Sequence, residues 1–131
     1  MQIFDDFETD GNLIKSDERY DIHDNTLLSD LTVSRTALHP GHSTGGHHHD
    51  DQGEIYIFTQ GEGEIELGSI SGDRQMFPVK SGTIVYVEPL EYHKVHNSTG
   101  TTDLVFISIF NKRTHNTGSA LSSKSENLVD V

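Results

Sequence analysis

Short runs of β-branched and aromatic residues, each ended by glycine, proline or polar residues, follow one another from residue 31 to residue 110. In chain order these runs are LTVSRTAL, GEIYIFTQ, GEIELGSI, QMFPV, GTIVYV, YHKVHN and LVFISIF. Their length and spacing are typical of the strands of an all-β sandwich or barrel. The intervening segments QGEG and SISGDR predict hairpin turns. We therefore predict an all-β fold.

Three segments differ in texture along the 131 residues, a length that allows one modest hydrophobic core. Residues 1–30 are acidic and rich in turn-forming residues, and we interpret them as an N-terminal arm that could hold a short strand or one helical turn. Residues 31–111 contain the predicted barrel. Residues 112–131 are polar and predict a flexible C-terminal tail.

The charge and the absence of cysteine exclude several classes of function. Nine Lys and Arg stand against 21 Asp and Glu, a formal net charge of -12. Nucleic acids and anionic membranes attract basic surfaces, so we expect neither as a partner. With no cysteine, disulfides, thiolate metal sites and thiol nucleophiles are excluded.

No apolar run approaches the roughly 18 to 20 residues that a transmembrane helix needs. The acidic start MQIFDDFETDG resembles no secretory signal, because it lacks both a basic beginning and an apolar stretch. We expect a soluble, cytoplasmic protein.

Two of the predicted strands are apolar on both faces. In EIYIF, Tyr56 and Phe58 share one face with Glu54, while Ile55 and Ile57 share the other. LVFISIF likewise has apolar residues on both faces. A solvated outer face would alternate apolar with polar residues, so we expect these outer faces to be covered. The N-terminal arm or a second subunit could cover them, and we predict a homodimer.

Three consecutive histidines lie in the stretch GHSTGGHHHDDQGEIYIF. On a strand, His47 and His49 would point to one side and His48 to the other. Glu54 begins the next predicted strand after a turn and can fold back toward the same interior. Imidazole and carboxylate together suit Fe, Mn, Ni, Co or Zn. Taken alone, the pair of histidines could equally belong to a solvated loop.

The wider spacing resembles the two sequence motifs of the cupin superfamily. The first motif is matched at every position by Gly41, His47, His49, Glu54 and Gly61, with gaps of five, one, four and six residues.

The second motif is matched by Gly82, His93 and Asn97. Two positions depart from it, because Glu88 stands at the place of a proline and Leu90 at the place of a glycine. These changes affect the turn and leave the histidine in place.

The resemblance implies a cupin jelly-roll β-barrel (a double-stranded β-helix) that holds one divalent transition metal ion (Fe, Mn, Ni, Zn or Co) through His47, His49, Glu54 and His93. Three neutral imidazoles and one carboxylate would leave the ion a net charge of about +1. Four protein ligands also leave coordination positions for water or a small-molecule substrate.

The central stretch looks most like the cupin-type phosphoglucose isomerases of archaea, through ALHPG, TGGHHH, GEIY, GEG, GTIVYV and LVFISIF. This likeness implies that Glu54 is both a metal ligand and the base that moves a proton between C1 and C2, and that Tyr56 contacts the substrate. The substrate would be a sugar or a sugar phosphate.

The chain also departs from those isomerases. Gly45 stands where they usually have lysine, the turn at residues 60–63 carries acid in place of a base, and the chain is shorter. Two other activities stay open, an Fe(II)-dependent dioxygenase or oxidoreductase and a non-catalytic small-molecule-binding cupin.

Residues near the motif histidines receive simpler interpretations. We expect His48 to face away from the metal and His96 to lie on the exposed side of its strand. Glu64 and Glu66 predict a half-solvated strand face. Asn97 is expected to fix the turn after the ligand strand through hydrogen bonds from its side chain to the backbone.

Overall fold

The structure is a computed structural model that describes residues 3, 5–26, 29–48, 52–98 and 100–111. Within these residues the elements, in chain order, are α1 (Phe7–Asp10), β1 (Asn12–Ser16), β2 (Tyr20–Asn25), β3 (Leu31–Leu38), β4 (Glu54–Gln60), β5 (Glu62–Gly68), β6 (Arg74–Lys80), β7 (Ile84–Val87), β8 (Tyr92–His96) and β9 (Leu104–Asn111). Strands β3 to β9 fall on the seven predicted runs, in the same order.

The strands form two antiparallel sheets. The large sheet has six strands in the order β1-β2-β3-β9-β4-β7, and the small sheet has three in the order β6-β5-β8. The predicted hairpin at SISGDR is present, because it joins the paired strands β5 and β6. The predicted hairpin at QGEG is wrong, because this turn joins β4 of the large sheet to β5 of the small sheet and the two strands do not pair. The inner faces of the two sheets pack on each other, which confirms the predicted all-β jelly-roll barrel.

The N-terminal segment contributes two strands to the large sheet. β1 pairs with β2, and β2 pairs along its full length with β3, from Tyr20 opposite Leu38 to Asn25 opposite Val33. The short helix α1 contacts β2 and β1, and Glu8 in it lies 3.9 Å from the Arg35 guanidinium. This segment therefore extends the sheet sideways. Residues 112–131, the predicted tail, lie outside the described residues.

The apolar core occupies one end of the barrel. It lies where β2 and β9 begin and where β3 and β4 end. Buried residues of both sheets form it, and they include Tyr20, Leu38, Phe58, Ile65, Val95, Leu104 and Phe106. The opposite end, where β4 begins and β9 ends, carries buried polar side chains. The inner face thus changes from apolar to polar along the strands.

Backbone geometry explains why the motif glycines are needed. Gly41, Gly61 and Gly82 have φ angles of 83°, 86° and 97°, a backbone region that residues with a Cβ atom rarely adopt. Leu90, at the place of the fourth motif glycine, has the same kind of backbone, with φ of 70°. The turn before β8 therefore keeps its glycine-type shape although leucine occupies it.

The outer face of the large sheet stays partly uncovered within the described residues. Ile55, Ile84 and Tyr86 lie on neighbouring strands β4 and β7 and are 40%, 67% and 58% exposed. The N-terminal strands do not cover this area, because they join the sheet at its opposite edge. Among the described residues, no helix is long and apolar enough to cross a membrane.

Candidate metal centre

Three of the four predicted ligands meet at the polar end of the barrel. His47, Glu54 and His93 are buried, and one potential ligand atom from each lies within 4.8 Å of the others. Nε2 of His93 is 3.6 Å from Oε1 of Glu54, and the rings of His47 and His93 meet edge to face with centroids 4.4 Å apart. The fourth, His49, lies outside the described residues.

Three different parts of the fold supply these side chains. Glu54 is the first residue of β4 in the large sheet, and His93 is in β8 of the small sheet. His47 belongs to the segment of residues 41–47, which connects β3 toward β4 and runs antiparallel beside β8. The site therefore joins the two sheets.

Backbone hydrogen bonds hold the segment of residues 41–47 against β8. His47 and His93 exchange a pair of N–H···O bonds of 3.2 and 2.9 Å. Further along, the Thr44 N–H donates to the carbonyl of Val95 at 2.9 Å, and the Thr44 hydroxyl accepts from the Val95 N–H at 3.0 Å. The spacing of the two histidines is consequently set by the backbone.

The ring orientation of both histidines is fixed by the backbone as well. Nδ1 of His47 is 3.1 Å from the carbonyl oxygen of Gly45, and Nδ1 of His93 is 3.1 Å from that of Glu91. A carbonyl oxygen only accepts hydrogen bonds, so each Nδ1 must carry the proton and donate. In the neutral ring, the lone pair is then on Nε2, the form in which imidazole binds metal.

The cluster fits a divalent transition metal ion. Ligand atoms that lie about 2.0 to 2.2 Å from one ion are about 3 to 4 Å from each other. The 3.6 Å between Nε2 of His93 and Oε1 of Glu54 is within this range, and the ligand atoms of all three residues lie within 4.8 Å of one another. Two imidazoles with their lone pairs on Nε2 and one buried carboxylate are the donor set preferred by Fe, Mn, Ni, Zn and Co.

Tyr56 lies beside this cluster on the inner face of the large sheet. It is 1% exposed, its ring stacks on Phe106 at 5.3 Å, and its centroid is 5.8 Å from that of His93. Burial, and then the charge of Glu54, raise the pKa of the Tyr56 hydroxyl well above its ordinary value. The hydroxyl therefore stays protonated at neutral pH and can donate a hydrogen bond.

A hydrogen-bonded chain on the outer side of β8 was missed by the sequence interpretation. His96 faces outward as expected, but its side chain is only 17% exposed: its Nδ1 lies 2.8 Å from the hydroxyl of Ser43 and its Nε2 lies 3.0 Å from Glu66. Arg74 extends the chain, 3.8 Å from Glu66 and 3.6 Å over the ring of Tyr92. These contacts attach residues 41–47 to the small sheet.

Asn97 has the role predicted for it. It is fully buried, and its side-chain amide donates to the carbonyls of Leu38 at 2.8 Å and Thr102 at 3.0 Å. The first acceptor belongs to the last residue of β3, and the second lies in the turn before β9. Asn97 thereby fixes the end of the strand that carries His93.

Residues 34–110, more than half of the chain, match the sequence model of the cupin domain family. The chain belongs to this family. This cupin is 34% identical over 119 residues to a glucose-6-phosphate isomerase of Thermococcus gammatolerans, a match that covers 82% of the chain and 62% of the relative. It is also 34% identical over 76 residues to an oxalate-binding protein of Thermotoga maritima, covering 58% of each.

A solved structure shows the same fold. The cupin superposes on the oxalate decarboxylase of Bacillus subtilis, a protein with Mn(II) centres, with a TM-score of 0.66 and 21% identity, covering 75% of this chain and 27% of the other. The chain spans only 53% to 62% of the length of the glucose-6-phosphate isomerases of Pyrococcus abyssi and Thermococcus gammatolerans that it matches.

Proposed function

We propose that this cupin is a metal-dependent enzyme for a small polar molecule, and that its reaction is the isomerisation of a sugar or sugar phosphate. The observation that carries the proposal is the position of Glu54, a buried carboxylate 3.6 Å from the Nε2 atom of His93 inside the barrel. A carboxylate in this place can serve both the metal and the substrate.

The metal would be held by His47, Glu54 and His93, together with His49. When bound, the ion would act as a Lewis acid that polarises the substrate carbonyl and lowers the pKa of the neighbouring C–H. The Mn(II) centres of the Bacillus subtilis relative make manganese the first metal to test, followed by Fe, Ni, Zn and Co.

The proton transfer would be carried by Glu54. Its carboxylate would take the proton from the carbon beside the carbonyl, which gives an enediolate, and return it to the former carbonyl carbon, while a second proton moves from the substrate hydroxyl oxygen to the former carbonyl oxygen. No electron acceptor is needed, because the oxidation of one carbon is balanced by the reduction of the next. The protonated hydroxyl of Tyr56, whose pKa is raised by burial, would donate a hydrogen bond to the substrate.

The similarity to glucose-6-phosphate isomerases supports this reaction, and the similarity to an oxalate-binding protein supports a second candidate. In the second candidate the same metal site binds a small ligand without converting it. Turnover separates the two, because only the enzyme needs Glu54 as a base.

The test is a conversion assay with protein loaded in turn with Mn, Fe, Ni, Zn or Co. Glucose 6-phosphate with fructose 6-phosphate, and glucose with fructose, are the substrate pairs. We expect turnover with at least one metal and a loss of roughly 100-fold or more in Glu54→Gln, because general-base catalysis is worth about that much. Glu62→Gln is the matched control, since Glu62 is exposed.

Absence of turnover with all five metals would reject the isomerase. Retained binding of a small ligand would then favour the binding protein, and Fe(II)-dependent oxygen consumption would favour the dioxygenase.

We also propose that the cupin is a homodimer in which a second copy covers the outer face of β4, β7 and β9. Six outward side chains of these strands are apolar or aromatic and uncharged: Ile55, Ile57, Ile84, Tyr86, Ile107 and Ile109. No like-charged side chains among these positions would therefore face each other across the interface.

The mass of the native protein by light scattering tests the dimer. Ile84→Glu, which places a charge at a side chain that is 67% exposed, should give a monomer. Met76→Glu, on the outer side of the small sheet, is the control and should leave the mass unchanged. A monomeric wild-type protein would reject the dimer.

A further inference from the structure

Strand β3 turns its hydroxyl side chains into the barrel. Thr32, Ser34 and Thr36 are 3%, 4% and 0% exposed, whereas Val33 between them points outward and is half-buried. Inward positions of a strand are usually apolar, so three successive inward hydroxyls are an exception to the usual alternation. The neighbouring strand β9, which pairs with β3, adds another inward hydroxyl, Ser108, which is 0% exposed.

The register of the large sheet aligns four inward polar side chains, one from each of four neighbouring strands, in a single row. Asp24 of β2 lies opposite Ser34 of β3, Ser34 lies opposite Ser108 of β9, and Ser108 lies opposite Tyr56 of β4. Neighbouring strands are about 4.8 Å apart, so the row is about 14 to 15 Å long. Its Tyr56 end adjoins the candidate metal centre, because Glu54 faces inward two residues earlier on the same strand.

The row contains buried polar atoms without hydrogen-bond partners among the described residues. They are the hydroxyl oxygen of Ser108, Oδ1 of Asp24 and, in the next row inward, the hydroxyl oxygen of Thr36. The Ser34 side chain hydrogen-bonds Asp24, and burial is the larger influence that raises the pKa of the Asp24 carboxyl. Each such atom destabilises the fold by about 1 to 3 kcal/mol, which favours a role in binding over one in packing.

We propose that Asp24, Ser34 and Ser108 form a second pole of the ligand site, which accepts hydrogen bonds from hydroxyl or ammonium groups of a neutral or cationic polyhydroxylated ligand. The ligand class is an unphosphorylated sugar or amino sugar. This proposal rests on the proposed function, since the metal centre would hold the carbonyl end of the same ligand.

The chemistry of the second pole disfavours a phosphate. An ionised carboxylate has only acceptor oxygens, so Asp24 attracts O–H and N–H donors and repels an anionic group. Seryl hydroxyls both donate and accept, and two of them beside a carboxylate suit adjacent sugar hydroxyls.

Titration calorimetry on the Mn-loaded cupin with D-fructose, D-glucosamine and fructose 6-phosphate tests the second pole. We expect the two uncharged or cationic sugars to bind more tightly than the phosphate. Ser108→Ala and Asp24→Asn should each weaken them by roughly five- to tenfold, the value of one hydrogen bond. Ser81→Ala and Asp73→Asn are matched controls at exposed positions and should change neither affinity.

The proposal fails if fructose 6-phosphate binds more tightly than fructose, or if neither Ser108→Ala nor Asp24→Asn alters sugar affinity at unchanged metal content. Asp24→Asn keeps the shape of a side chain that is only partly buried, so it tests the second pole even if Ser108→Ala does not fold. Sugar binding that depends on Asp24 without turnover would reject the isomerase and retain the second pole. Turnover that neither Asp24→Asn nor Ser108→Ala changes would retain the isomerase and reject the second pole.

Discussion

Nε2 of His93 lies 3.6 Å from Oε1 of Glu54, and the two residues belong to different sheets of the barrel. Both side chains are at most 1% exposed. A carboxylate and an imidazole buried together at the meeting point of two sheets are the arrangement that a bound cation would stabilise. Metal binding should therefore depend on each of them.

Replacing His93 by alanine should remove the metal. A transition metal binds weakly once one of its few protein ligands is lost, so we expect metal content to fall by roughly tenfold or more. Elemental analysis of protein purified without an affinity tag measures this. His42→Ala is the control, because His42 lies in the same segment but outside the cluster of His47, Glu54 and His93.

The companion variant His49→Ala addresses the fourth predicted ligand, which lies outside the described residues. It should lose metal to a similar extent. Stoichiometric metal in both the His93→Ala and the His49→Ala protein would contradict the site.

Removing the Ser43 hydroxyl should weaken metal binding without unfolding the protein. Ser43 connects the segment that carries His47 to His96 on β8, through a 2.8 Å hydrogen bond. Groups that orient ligands indirectly typically change metal affinity by about 10- to 100-fold, and we expect Ser43→Ala to fall at the lower end of that range. Competition with a chelator measures the affinity, and Ser81→Ala, at an exposed turn, should match wild type.

An unchanged affinity in Ser43→Ala would show that the backbone hydrogen bonds between His47 and His93 suffice to position the segment. The thermal unfolding midpoint of each variant should be compared to separate a local effect from a loss of stability.

The strands of the barrel were predictable because their signals are local. Each run from β3 to β9 combines β-branched residues with a glycine or polar boundary, and the structure has a strand at every one. Strand β1 has a weaker signal, a single β-branched residue (Ile14) after Gly11, which allowed a short strand or one helical turn. Its place is determined by pairing with β2, which is a contact between segments rather than a property of either.

The site was predictable only as far as fixed spacings describe it. His47, Glu54 and His93 come together as the resemblance to the cupin superfamily implied, and Asn97 makes the expected hydrogen bonds. The contact of His96 with Ser43 and Glu66 was missed because it needs the register of β5, β8 and the segment of residues 41–47. The inward row that includes Ser108 was missed for the same reason.

Replacing Leu90 by glycine should stabilise the protein. Leu90 has φ of 70° and its side chain is 54% exposed, so the substitution relieves backbone strain and removes little packing. The strain is worth about 1 to 2 kcal/mol, and the greater freedom of glycine in the unfolded chain offsets part of it. We expect a net gain of about 0.5 to 1 kcal/mol in urea unfolding.

Leu13→Gly is the control for the Leu90 substitution. Leu13 is 59% exposed and lies in strand β1, where no positive φ is recorded, so glycine should destabilise there. A loss of stability in Leu90→Gly as large as that in Leu13→Gly would show that the leucine side chain contributes more than its exposure indicates.

Replacing Asp24 by asparagine should stabilise the protein at neutral pH and lose this advantage in acid. Burial is the main cause that raises the folded-state pKa of Asp24 above the 3.8 of the unfolded chain. Between these two pKa values the folded protein binds more protons than the unfolded one, so the contribution of Asp24 to stability falls as the pH rises through this window. Asparagine carries no charge and avoids that loss.

Urea unfolding of wild type and Asp24→Asn from pH 3.5 to pH 7 measures the effect, because other titrating groups cancel in the difference between the two proteins. The difference should grow as the pH rises above 3.8 and then level off. A flat difference for Asp24→Asn would mean that its carboxyl is as well solvated in the folded chain as in the unfolded one. A rising difference, together with weaker sugar binding in the same variant, would identify Asp24 as a residue kept for ligand recognition at the expense of stability.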